Sequence, residues 1–133
     1  MRGGTRTGAR DLIWRWGPAV AWAALIFALS AQPGLNMSPD PSVDGPARHL
    51  AHGFFFGVLA LLVLHGLGAL GGRIDARAAL ITAALILAYA ISDEVHQAFV
   101  PDRTANPVDI AYDMIGVLVG IGAAWAWGRR GGS

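Results

Sequence analysis

Cysteine is absent from this chain, and so is lysine. The first absence excludes disulfides, thiolate metal ligands and a cysteine nucleophile, and it leaves the redox compartment unreadable. The second means that all ten basic residues are arginine; beside the abundant Ala and Gly, this reflects coding bias rather than chemistry. Charge is scarce altogether. Only 14% of the 133 residues are charged against 54% hydrophobic, which argues against an ordinary soluble domain and makes lipid the expected solvent. No Gly-rich phosphate loop and no His-Glu-x-x-His metalloenzyme spacing occurs. The arginines form no stripe with interleaved aromatics, so nucleic acid is not an expected partner. No internal repeat is evident.

What is present is four apolar segments, at about 14–31, 49–70, 77–97 and 107–127. Each approaches the roughly 20 apolar residues needed to cross about 30 Å of hydrocarbon. This pattern predicts an all-α, polytopic integral membrane protein, a bundle of four transmembrane helices forming a single domain over 1–133. A Pro/Asp/Ser-rich loop (32–48), a short basic link (71–77) and a polar turn (97–107) join the spans.

Charge placement sets the expected orientation, because cytoplasmic flanks carry excess Arg. Arg2, Arg6, Arg10 and Arg15 precede the first span, Arg73 and Arg77 fill the second link, and Arg129 and Arg130 follow the last. The other side keeps Arg48 and Arg103 against Asp40, Asp44, Asp93, Glu94, Asp102, Asp109 and Asp113. Both termini are therefore expected in the cytoplasm. Trp14, Trp16, Trp125 and Trp127 fall at the same interface, where indole rings are favoured. The rival reading of the first span is a secretory signal, with Ala28 and Ser30 imitating a cleavage site. The pairs Gly53/Gly57 and Gly116/Gly120 have the Gly-x-x-x-Gly spacing that lets helix backbones approach, here expected within one bundle.

The third and fourth spans are short at their non-cytoplasmic ends. Uninterrupted apolar sequence runs from Ala78 to Ile91 and from Met114 to Trp127, 14 residues each, or about 21 Å at the helical rise. Asp93, Glu94, His96, Asp109 and Asp113 then lie at a depth where ionisable groups must face the bundle and find partners. Asp93, His96 and Gln97 share a helix face at i, i+3 and i+4, as do Asp109 and Asp113 at i and i+4 and His49 and His52 at i and i+3. Ser30 and Gln32 end the first span. The expectation is a polar pocket at one end of the bundle. His65 stands apart near the other end and reads as a bundle histidine with a hydrogen-bonding neighbour.

Plainer roles compete for individual residues. Asn106 and Pro107 read as N-cap and N1, so Asp109 at N3 fits a helix cap as well as a site. Asp113 lies a turn deeper, beyond the reach of capping. Adjacent Asp93 and Glu94 resist joint ionisation unless a cation is near, and Arg103 is the nearest candidate for that charge. As a plain loop arginine it would supply none.

The run Ser92-Asp93-Glu94-Val95-His96-Gln97-Ala98-Phe99-Val100-Pro101-Asp102-Arg103 resembles the Asp-Glu-x-His-Gln-x-Phe-x-Pro-Gly-Arg signature of the VanZ-like family. Ser30-Ala31-Gln32-Pro33 is similar to the family's Ser-x-Gln-Pro, and Asp109 to Gly116 to its Asp-x-x-x-Asn/Asp-x-x-Gly stretch. Asp102 departs from the pattern where Gly is frequent, His49 where Lys is, and Phe56 where Tyr is; His52 matches. The resemblance implies a multi-pass protein of the bacterial cytoplasmic membrane, linked to the cell envelope and to glycopeptide (teicoplanin) resistance. It brings no reaction with it.

Three functions remain open. In the first, the polar pocket binds an envelope lipid, a precursor or a partner through Ser30, Gln32, His52, Asp93, Gln97, Arg103 and Asp109. In the second, the chain is an intramembrane enzyme acting on a lipid-linked envelope substrate. Glu94, His96 and Asp113 are then the catalytic candidates, and His52, Glu94, His96 and Asp113 could ligate a divalent metal, since imidazole and carboxylate suit Zn, Mn or Mg. In that case Arg103 would grip phosphate or carboxylate. In the third, the cluster only ties the helices together.

Overall fold

The computed structural model describes residues 7–34 and 36–132. Arg2 and Arg6, counted above toward the orientation, lie outside the described residues. The fold is an all-α bundle of α1 (Ala9–Ser30), α2 (Pro41–Gly66), α3 (Ala76–Gln97) and α4 (Pro107–Arg130), with no strand among the described residues. All four helices are long and apolar enough to cross a membrane. The protein is a multi-pass membrane protein.

Local chemistry explains where the helices begin. At α1 the Gly8 N–H donates to Asp11 Oδ2 at 3.2 Å, and α1 starts at Ala9 rather than near Trp14. The larger departure from expectation is α2, which starts at Pro41 and not near His49. Asp40 caps it, accepting from the Ser42 N–H at 2.9 Å and the Ser42 hydroxyl at 2.8 Å; these two donors, the hydroxyl first, hold its carboxyl below the usual range. Pro41 sits at the first helical position, where its missing N–H costs nothing. A Pro- and Asp-rich stretch that reads as loop is thus a capped helical start. His49 and His52 consequently stand about two turns inside α2 and not at its end. Asp75 caps α3 by accepting from the Ala78 N–H at 2.8 Å.

Lipid tails are as apolar as leucine, so helix association here relies on close packing and on hydrogen bonds. The α2·α4 seam is the most extensive contact of the bundle, and glycine makes it. A Cβ on Gly116 would land on the Gly53 carbonyl oxygen, and one on Gly120 would come within 2.7 Å of the Gly57 oxygen. Both Gly-x-x-x-Gly pairs therefore face each other inside one bundle. Around them Phe56, Leu59, Ala60, Ile86 and Val117 form the apolar core. Outward-facing Ile13, Val20, Leu50, Leu80, Leu118 and Val119 are exposed, as lipid-facing positions should be.

Helix α1 packs on α2 and touches α3 only lightly. Two aromatic donors fasten it: Trp22 Nε1 donates to the Phe55 carbonyl at 2.8 Å, and the Tyr89 hydroxyl donates to the Ala23 carbonyl at 2.6 Å. At the arginine-rich end Arg15 Nε donates to the Gly66 carbonyl at 3.1 Å. His65 has the expected neighbour, with Nε2 at 3.3 Å from the Trp14 carbonyl oxygen, but it is exposed and not interior. The light α1–α3 contact leaves room between α1 and the rest of the bundle at the opposite, acidic end.

Candidate functional site: the acidic end of the bundle

Ser30, Asp93, Glu94, Gln97, Asp109 and Asp113 are all buried. Buried ionisable groups need partners, and three knots supply them. Between α1 and α3, the Ser30 hydroxyl donates to Asp93 Oδ2 at 2.8 Å and Gln97 Nε2 donates to the same oxygen at 3.1 Å. The i, i+4 spacing of Asp93 and Gln97 thus makes a pair, which the last turn of α1 completes.

The second knot joins α2 to α4. His52 Nδ1 lies 2.8 Å from Asp113 Oδ1, and one turn outward His49 Nε2 lies 3.5 Å from Asp109 Oδ1. His49 also stacks on Tyr112, with ring centroids 4.0 Å apart and planes 5° from parallel. Where Nδ1 donates to Asp113, His52 Nε2 has no protein partner among the described residues.

The third knot closes the loop between α3 and α4. Glu94 Oε1 accepts from the Asn106 N–H, while Asn106 Oδ1 accepts from the Val108 N–H at 3.1 Å as the N-cap of α4. In a capping box the N3 carboxylate would take the N-cap N–H. Glu94 takes it here, so Asp109 at N3 is released to pair with His49. The competing cap reading of Asp109 therefore gives way to a partner on α2.

Arg103 serves α1. Its Nε donates to the Gln32 carbonyl and its NH2 group to the Leu29 carbonyl, each at 3.0 Å, so it satisfies oxygens left open at the helix end. Partial burial, with the Arg48 charge acting the same way, lowers its pKa from the ordinary guanidinium value. The preceding Asp102 has φ +60°, the left-handed region where glycine is at ease. The residue that departs from the signature thus stands at the position whose backbone accounts for glycine there.

The structure leaves two candidates outside the cluster and does not assemble the metal set. The Gln32 side chain is on the surface, donating to the Ala28 carbonyl at 3.4 Å; only its backbone oxygen serves the site. The His96 ring stacks on Phe27 with centroids 4.3 Å apart, and its Nδ1 is buried without a hydrogen-bond partner among the described residues. With His96 turned to α1 and Glu94 bound to a backbone N–H, the set His52, Glu94, His96 and Asp113 does not converge. No group of three or more His, Asp or Glu that could hold a metal ion occurs among the described residues.

A cavity of about 320 Å³ opens beside the first two knots, between α1, α2 and the loop that joins them. Ile26, Leu29, Met37, Ala51 and Phe55 make its walls apolar. His52 and Asp93 contribute polar wall, and Asp93 Oδ1 is buried with no hydrogen-bond partner among the described residues. Arg48 and Asn36 also line it. Arg48 NH2 is held 3.1 Å from Asp44 Oδ2, and Asp44 Oδ1 accepts from the Met37 N–H at 2.6 Å, folding the loop over the start of α2.

Sequence reasoning missed Asn36, Met37 and Arg48 as lining residues. Arg48 had a signal, being one of two arginines on an otherwise acidic side with Asp44 four residues before it. Asn36 and Met37 had none, because the loop's path sets them there.

A family model described as VanZ/LLP1 matches residues 13–128, nearly the whole chain. The chain belongs to the VanZ/LLP1 family. No curated protein and no solved structure matches it. The VanZ/LLP1 match spans all four helices, so the three knots and the cavity lie within the family domain.

Proposed function

We propose that this VanZ/LLP1 protein binds the head region of an envelope amphiphile, a lipid or lipid-linked precursor, in the cavity between α1 and α2. In this reading the acidic end lies in the outer leaflet of the bacterial cytoplasmic membrane and both termini lie in the cytoplasm. Binding there alters how glycopeptides of the teicoplanin type reach their target. One observation carries the proposal: a mostly apolar cavity is lined by His52 and Asp93, and among the described residues His52 Nε2 and Asp93 Oδ1 have no hydrogen-bond partner. Apolar walls with a few convergent polar groups describe a ligand site, and an amphiphile matches both parts.

The test is lipid co-purification. Wild-type protein extracted from bacterial membranes should retain an amphiphile identifiable by mass spectrometry, and Ala51→Trp, which fills the cavity, should not. Equal retention by both would remove the cavity from the reading. In a host expressing the protein, any change in teicoplanin susceptibility should disappear with the same variant.

A second reading is favoured by the His52–Asp113 geometry. A carboxylate on Nδ1 orients the imidazole and leaves Nε2 as a proton acceptor, the arrangement of a general base. Acid/base turnover of a lipid-linked substrate then uses His52 in the cavity, with Asp113 positioning it. Release of product from the retained amphiphile on incubation, lost in His52→Gln to a far greater degree than retention falls, distinguishes turnover from binding.

A further inference from the structure

We propose that the group seated against Asp93 is a protonated amine carried on an apolar body; the inference rests on the cavity reading above and names the chemistry of its ligand. The acidic end holds more carboxylates than it can pair. Asp113 and Asp109 each have one histidine, Glu94 has a backbone N–H, and the two guanidinium nitrogens of Arg103 seen bonding serve carbonyl oxygens. Among the described residues Asp93 has only neutral partners, Ser30 and Gln97, and both donate to the same oxygen, Oδ2.

Both donors thus occupy one oxygen of the carboxyl group. Its second oxygen, Oδ1, then lacks a donor in a residue only 3% exposed. An unmatched carboxylate in a poor solvent is costly, whereas a cation that also donates hydrogen bonds offsets that cost most fully. A primary ammonium supplies both. A quaternary ammonium supplies charge without a donor, and a hydroxyl supplies a donor without charge. Phosphate, sulfate and carboxylate heads are repelled at this point. Arg48, in the wall of the same cavity and paired among the described residues with Asp44 and Asn36, gives any anionic group on the same ligand a separate place.

The experiment uses the full chain in phosphatidylcholine nanodiscs and reads thermal unfolding against graded dodecylamine, dodecyltrimethylammonium, dodecanol and dodecyl phosphate. A ligand that binds only the folded state raises the unfolding temperature in proportion to its affinity. Dodecylamine should act at a concentration about tenfold or more below the other three, the scale of a hydrogen bond to a charged group. Asp93→Asn keeps an acceptor for Ser30 and Gln97 and should erase that preference, while Ala51→Trp should erase the response to all four.

Equal responses to all four heads, abolished by Ala51→Trp, would overturn the amine and leave the cavity standing. Preference for dodecanol would overturn it too, by making Asp93 a neutral acid. Responses that Ala51→Trp leaves intact would refute the cavity itself. If Asp93→Asn does not fold, the ranking of the four heads on the wild-type protein decides alone.

Discussion

His52 Nδ1 lies 2.8 Å from Asp113 Oδ1, and this contact joins α2 to α4 with Asp113 buried and His52 half-buried. Breaking a buried pair leaves one group uncompensated, at a cost of about 3 kcal/mol. Asp113→Ala should therefore lower the unfolding temperature in detergent markedly. The double variant His52→Leu/Asp113→Leu should recover much of the loss. A double-mutant cycle with no coupling would show that the pair does not bind the helices together.

The α2·α4 seam makes a sharper steric prediction. Gly116→Ala places a methyl group on the Gly53 carbonyl, so the backbones must separate, costing about 1–3 kcal/mol. Gly122→Ala meets nothing within 4 Å and should be neutral or stabilising by up to about 1 kcal/mol, the helix-propensity gain. Thermal unfolding of the two variants side by side checks the seam, and equal effects would contradict it.

Asp102 has a positive φ. Asp102→Val should destabilise by about 1–2 kcal/mol, because a β-branched residue is poorly suited to the left-handed region. Asp102→Gly should match or slightly exceed wild type, relief of backbone strain being partly cancelled by the freer unfolded chain. Denaturation midpoints of the pair read the difference directly.

Arg103 straps the α3–α4 loop to the end of α1 through two carbonyl oxygens. Hydrogen bonds from a charged donor contribute about 1.5–3 kcal/mol. Arg103→Ala should leave the bundle folded and raise hydrogen exchange at the amides of 98–106 and at the last turn of α1. Unchanged exchange there would mean that the strap does not hold the loop.

The orientation is tested by the chain's lack of cysteine, since single cysteines can be introduced without background. Asp44→Cys and Asp102→Cys should react with an impermeant thiol reagent on intact cells, and Asp75→Cys only after lysis. The reverse pattern would put the cavity on the cytoplasmic side.

The class of fold was legible in one dimension because lipid imposes a crude rule: a backbone crossing it must be helical and apolar for about 20 residues. Four such stretches and their arginine flanks suffice for that. The same rule exposed the site region, since Asp93, Glu94, Asp109 and Asp113 cut two spans short and had to be buried among partners. The start of α2 was not legible, because Pro and Asp have opposite meanings in a loop and in a capped first turn.

Partner choice belonged to the tertiary structure. Spacing puts Asp93, His96 and Gln97 on one helical face, yet only packing sends Asp93 and Gln97 to Ser30 and turns His96 onto Phe27. Likewise Asp109 fits a cap in sequence, and it is the approach of Glu94 to the Asn106 N–H that frees it for His49. Residue order alone requires that polar groups meet at one end of a four-helix membrane bundle, because lipid permits nothing else. Which groups meet, which oxygen of Asp93 is left without a donor, and where the cavity opens depend on how closely α2 and α4 approach through glycine and how loosely α1 sits beside α3, distances that no local pattern encodes.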